Sequence, residues 1–181
     1  MKDIITENLI IRPSKVSDLE YFYKWELSPA ITEFFSIKDN QSMEEVEEEF
    51  YKGLSSDSTE QFTICLRESG KAIGRIVMAD IIRGWKGEVW RIYIGDPSLR
   101  GKGYGYESML AVMKYSFEDL ELERLYLDHY TENPASKLYQ SLGFVYEGVL
   151  RKNCRKNGVL YDVHLMSMLK EEYEALYHKD K

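Results

Sequence analysis

Three glycines within five residues, accompanied by two basic side chains, constrain this chain more than any other stretch. Arg100-Gly101-Lys102-Gly103-Tyr104-Gly105 stands between a strand-like run, Glu88 to Ile94, and a helix-like run that starts near Gly103 and continues towards Asp119. Glycines let a backbone take positive φ and approach a ligand closely. The first turn of a helix leaves several N–H groups unpaired, and the helix dipole adds partial positive charge there. A strand passing through such a turn into a helix therefore makes an anion site. Arg100 and Lys102 add charge beside it, and a pyrophosphate is its natural guest. The spacing is not that of a P-loop, because no Gly-Lys-Ser/Thr follows. It is not a dinucleotide fingerprint either, because position 106 is Tyr.

Strands and helices are arranged around this turn along the whole chain. Leu9 to Pro13 reads as a first strand stopped by its proline. Ser17 and Asp18 offer an N-cap to a helix carrying Leu19, Phe22, Tyr23 and Trp25. Ser42 opens a second helix, with Glu45 as the partner in a capping box and Met43, Val46 and Phe50 on one side. The glutamates at 44, 45, 47, 48 and 49 cover the rest of it, as a solvated face or as a guide for a cationic acceptor. After a polar loop, Phe62 to Leu66 and Ala72 to Met78 form a hairpin around Ser69-Gly70-Lys71, and Glu88 to Ile94 follows. Leu125 to His129 is a further strand. Asn133 and Pro134 read as N-cap and first residue of a helix that closes at Gly143. Phe144 to Leu150 and Leu160 to Met168 flank a basic hairpin at Asn157-Gly158. An amphipathic helix, Lys170 to Tyr177, ends the pattern. This order predicts one α/β (α+β) domain spanning residues 1–181 around a single sheet.

Composition narrows the function classes. The chain has 181 residues, 24 Lys and Arg against 31 Asp and Glu, and a formal charge of −7. That balance argues against nucleic acid and against an anionic membrane, and is compatible with amines, polyamines or basic protein tails. The N-terminal residues have no long apolar core, and no apolar run approaches the ~20 residues that cross a bilayer. Cys65 and Cys154 lie far apart and the three histidines are scattered, so no metal site is expected and both thiols are expected reduced in a cytoplasmic protein.

A second constellation, Asn133 to Phe144, begins 28 residues past the glycines. Together the two resemble the GNAT superfamily of acyl-CoA-dependent N-acetyltransferases. The family's cradle, Gln/Arg-x-x-Gly-x-Gly/Ala, matches Arg100, Gly103 and Gly105. Its second motif matches Asn133, Ser136 in the small-residue position, Tyr139, Gly143 and Phe144. Within the superfamily, Leu9 to Pro13, Gly143 to Gly148 and Met166 to Leu169 are similar to the ribosomal-protein N-terminal and spermidine N-acetyltransferases. The resemblance implies a mixed, mostly antiparallel sheet with splayed middle strands flanked by helices, and an acetyl-CoA core at about residues 61–150.

The resemblance also implies direct transfer of acetyl from acetyl-CoA to a primary amine in a ternary complex. Acetyl-CoA would lie on Arg100, Gly101, Lys102, Gly103, Tyr104 and Gly105. The backbone of Ile92, Tyr93 and Ile94 would pair with the pantetheine arm and face the developing oxyanion, and Asn133 and Ser136 would complete that side. An ammonium cannot attack, so a group must take its proton. Asp128 is the first candidate, standing five residues before Asn133 where relatives acting on protein N-termini often carry Glu, and Glu88 is the second. His129 should point to the opposite face of its strand. Tyr139 occupies the family's position for the acid that protonates the departing thiolate. Trp85, Trp90 and Tyr93 are open as acceptor-side or core residues. The acceptor is left open between a protein N-terminus, a polyamine and another small amine. The alternative is a non-catalytic acyl-CoA-binding or sensor module. The last two strands sometimes mediate dimers in this family, which leaves a homodimer open.

Overall fold

The computed structural model describes residues 2–178. One sheet organises them. Its strands are β1 (Ile4–Ile5), β2 (Leu9–Pro13), β3 (Glu60–Leu66), β4 (Ala72–Ile82), β5 (Lys86–Ile94), β6 (Arg124–Tyr130), β7 (Val145–Lys156) and β8 (Val159–Leu169). The helices are α1 (Leu19–Glu26), α2 (Pro29–Thr32), α3 (Met43–Leu54), α4 (Tyr104–Lys114), α5 (Ala135–Ser141) and α6 (Lys170–Tyr177). Strand order is β1-β2-β3-β4-β5-β6-β8-β7, and every pairing is antiparallel except β5 with β6. This is the mixed, mostly antiparallel α+β sheet expected of the sequence.

Two apolar clusters hold helices to the two faces. On one face Met109, Val112 and Met113 of α4, with Leu142 and Tyr173, pack on Ile64, Ile76 and Leu127. On the other, Phe22 and Trp25 of α1 meet Val46 and Phe50 of α3 over Tyr93 and Ala72. The predicted capping box opens α3: the Glu45 N–H donates to Ser42 Oγ at 3.2 Å, and the Ser42 N–H to Glu45 Oε2 at 2.8 Å. Asn157 and Gly158 both take positive φ, 49° and 79°, as a tight hairpin turn requires.

Several expectations are corrected. Asp18 stands at the N-cap position of α1, but its side chain makes no cap hydrogen bond. Asp18 has helical dihedrals and closes a 3-10 turn, Val16–Asp18. Its carboxylate is buried instead, accepting from the Arg12 guanidinium at 2.7 and 2.8 Å and from the Thr63 hydroxyl at 2.8 Å. α4 is shorter than its pattern, because Tyr115–Asp119 winds on as a π-turn. β1 and α2 carry too few residues for a periodic signal, and β4 and β5 extend into the stretch read as a loop near Gly84.

Candidate active site

The site is built by a divergence in the middle of the sheet. β5 and β6 are in register only at Lys86–Arg124, Gly87–Leu125 and Glu88–Tyr126. Beyond Glu88, β5 continues on β4 as far as Ile94 while β6 continues on β8 as far as Tyr130. From Val89 to Ile94 one backbone edge of β5 therefore has no strand partner. Trp90 is the extra residue of a bulge between the Val89–Met78 and Arg91–Val77 pairs. A bulge re-aims the side chains that follow it. Val89 and Ile92 thus both face the α4 side, while Arg91 and Tyr93 turn towards α1 and α3.

Two cavities occupy the gap. The first, about 310 Å³, is lined by Glu88 and Asp128 together with Trp90, Tyr130, Asn133 and Tyr139. The second, about 300 Å³, runs along Ile92, Tyr93 and Ile94 to Arg100, Gly101, Tyr104 and Gly105. They share Phe34, Phe35, Ile92, Asn133 and Tyr139. The two carboxylate candidates and the cradle, separate in sequence, therefore open onto one junction.

The second cavity has the features an acyl-CoA would need. Gly101 and Gly103 take φ of 74° and 85°, and a Cβ added at either would meet nothing within 4 Å. The glycines thus leave open space before the first turn of α4, whose N-cap is Gly103. Arg100 is exposed there and donates to the Ala30 carbonyl at 3.3 Å. Lys102 and Gly103 are exposed on the loop and do not line the cavity. Ser136 does not line it either; Ala135 does. Ala135 lies four residues before Tyr139 and shares its helix face. Asn133 still organises the helix start, one residue later than expected. Its Oδ1 accepts from the Ala135 N–H at 2.9 Å and its carbonyl from the Ser136 N–H at 3.1 Å. Pro134 then takes the N-cap position.

Charge in the first cavity is concentrated on one sheet face. Burial, with Asp128 and Asp80 nearby, pushes the Glu88 carboxyl up to about 7. Burial also raises Asp128, partly offset by His129. The Tyr139 phenol is pushed up to about 12 by burial and by the Asp128 charge. His129 is buried, with Nδ1 2.9 Å from the Tyr130 carbonyl and its ring stacked on His164, so it takes no place among these cavity groups. Trp90 is exposed at the cavity, while Trp85 lies in the turn before β5, outside both cavities. The Tyr93 hydroxyl points away, donating to Glu26 at 2.7 Å.

Beneath the site lies a charged cluster that periodicity did not reveal. Glu26 Oε1 accepts from Arg75 at 2.8 Å and Arg91 at 3.2 Å, and its Oε2 accepts from Gln41 at 2.9 Å. Arg91 also forks onto Glu49 at 2.6 and 3.1 Å, so one glutamate of the acidic helix faces inward. Burial raises the Glu26 carboxyl, but Arg91 and Arg75 and the Tyr93 hydroxyl outweigh it and hold it below the usual range. The signal was present: Arg75 and Arg91 interrupt strands that are otherwise apolar at inward positions. Asp80, Ser36 and Tyr130 were also missed, since each belongs to the site only through a tertiary neighbour.

Comparison with known proteins agrees with this geometry. Residues 8–145 match the family model described as Acetyltransferase (GNAT) domain. The chain is 27% identical over 170 residues to a spermidine N(1)-acetyltransferase from Vibrio cholerae, covering 93% of this chain and 97% of that one. It is 29% identical over 180 residues to p20, an uncharacterized N-acetyltransferase from Bacillus licheniformis, covering 96% and 99%. The crystal structure of a Vibrio cholerae spermidine N-acetyltransferase with CoA and spermine superposes with a TM-score of 0.81 at 28% identity, over 93% of this chain and 99% of that one. With its splayed sheet, glycine cradle and this match over most of its length, the chain belongs to the GNAT family of N-acetyltransferases.

Proposed function

We propose that this enzyme moves an acetyl group from acetyl-CoA to a primary amine of a polyamine such as spermidine, by direct attack in a ternary complex. The observation that carries the reading is the junction at Ile92, Asn133 and Tyr139, with the glycine cradle on one side and two half-buried carboxylates on the other. Acetyl-CoA, when bound, supplies an acetyl thioester. The α4 N-terminus and Arg100 hold its phosphates, and the free edge of β5 holds its arm still beside the acceptor. Residues about 61–150 carry these functions.

Glu88 serves as the general base. An alkyl ammonium has a pKa near ~10.4, so almost none of the amine is free at neutral pH. A carboxylate titrating at about 7 accepts that proton, directly or through a water, at working pH. Asp128 raises the basicity of Glu88 and adds attraction for a cation. Tyr139 stays protonated through the neutral range and keeps its O–H as a donor to the departing thiolate. The polyamine preference draws on the acidic lining and on the names borne by the Vibrio cholerae relatives.

A release assay for CoA thiol tests this, with acetyl-CoA and a panel of spermidine, spermine and short peptides of varied N-termini. Spermidine or spermine is expected to have the highest kcat/KM. Preference for peptides would overturn the polyamine reading. Acetyl-CoA binding with no thiol release on any amine would favour a sensor module instead.

A further inference from the structure

We propose that Tyr130 is a specificity residue for the acceptor, its phenolic oxygen receiving an N–H from a second, non-reacting nitrogen of the amine. The inference rests on the reading that the acceptor enters the cavity of Glu88 and Asp128.

The residue is buried, with 7% of its surface exposed, yet its Oη has no hydrogen-bond partner among the described residues. Buried hydroxyls are nearly always paired, and leaving one unpaired is destabilising. The Ser36 hydroxyl stands near it without completing a hydrogen bond, and Cys154, Tyr161 and Asp128 are its other polar neighbours. Ser36, Cys154 and Asp128 line the same cavity as Tyr130 itself, so the orphan oxygen lies among the groups that wall the acceptor site.

The strand repeats the point. Along β6, Tyr126, Asp128 and Tyr130 share one face. Tyr126 is satisfied, donating to Asp80 at 3.2 Å, while Tyr130 is not. Its ring is fixed from outside by stacking on Tyr161, with centroids 5.1 Å apart and planes within 13°. A rigid ring holds the oxygen in place before any ligand arrives.

Position separates the two nitrogens. Glu88 registers with Tyr126, and Tyr130 lies four residues farther along β6, about 13 Å of strand. The proposal accordingly assigns the proton lost to Glu88 and the N–H met by Tyr130 to two different nitrogens of one acceptor. A polyamine has both; a simple alkylamine has only the first.

Tyr130→Phe removes the oxygen and keeps the ring. Steady-state kinetics with spermidine and with hexylamine, and thermal melting, read the result. The spermidine KM is expected to rise about tenfold or more, the scale of a hydrogen bond to a charged group. The hexylamine and acetyl-CoA KM values stay within twofold, and the melting temperature is unchanged or higher because no protein hydrogen bond is lost. An unchanged spermidine KM overturns the proposal, as does an equal rise for both amines or a fall in melting temperature with both KM values intact. If the unmodified enzyme fails to turn over spermidine while acetylating peptides, the polyamine reading fails and this inference with it. If it acetylates spermidine and the variant does so equally well, only the role of Tyr130 fails.

Discussion

At the scale of single residues, the site turns on Glu88. Its carboxyl is raised to about 7 in the fold, against about 4.3 in an unfolded chain. Between those values the folded protein holds a proton that the unfolded chain has released. Stability therefore falls as pH rises through that window, and the full cost applies above 7. Glu88→Gln removes that cost. Its melting temperature is expected to exceed the parent's by about 2–4 °C or more at pH 8 and to match it near pH 4.5, by calorimetry. In the same variant kcat/KM falls about 100-fold or more, and the rising limb near pH 7 disappears. Asp128→Asn gives the contrast. With a like charge removed, the limb moves to lower pH but persists, whereas loss of the limb would make Asp128 the base.

At the scale of elements, β5 carries both halves of the site. Its free edge faces the glycine-lined cavity, its bulge at Trp90 turns Ile92 into the junction, and its Arg91 and Tyr93 anchor it from below. The anchor is Glu26 of α1, shared between Arg75 and Arg91, where Arg75 is fully buried. Removing one member of a buried ionic cluster leaves charge unpaired and costs about 3–5 kcal/mol. Glu26→Gln is thus expected to lower the melting temperature by about 10 °C. Glu49 remains on Arg91 in that variant, so the fold should survive and differential scanning fluorimetry can read the loss. Most of these elements were legible in the sequence. The capping box at Ser42 and Glu45, the hairpin at Asn157-Gly158 and the glycine cradle are local signals, and local geometry followed them. The Asp18 side chain makes no cap bond because Arg12 and the distant Thr63 hold its carboxylate. Ala135 rather than Ser136 lines the groove, where a one-residue difference in the start of a helix rotates a face by about 100°.

At the scale of the molecule, the formal charge of −7 divides into local fields. Arg100 and Lys102 stand at the cradle, while Glu88, Asp128 and Asp80 mark the acceptor side. The division is incomplete, because Arg155 of β7 also lines the acceptor cavity. Solvent-facing charges are screened within a Debye length of ~8 Å at physiological salt, and buried pairs much less. Raising salt from about 0.05 to 0.5 M should therefore increase the KM of a cationic acceptor several-fold, through lost steering. The melting temperature should move by no more than about 2 °C, since the Glu26 cluster is enclosed. A larger thermal shift would place the stabilising charges at the surface.

The sequence by itself determined the order of elements, the glycine-rich turn before α4 and the family, because each rests on residues close together in the chain: glycines that permit positive φ, caps that stop or start a helix, and alternation that gives a strand its inner face. Only the tertiary structure decided which carboxylate titrates near neutrality, which small residue faces the groove and which tyrosine is left without a partner. Those properties belong to desolvation and to neighbours brought from distant segments. Glu88 is raised because the fold buries it and brings Asp128 and Asp80 beside it from two other strands. No stretch of the chain near Glu88 contains that information.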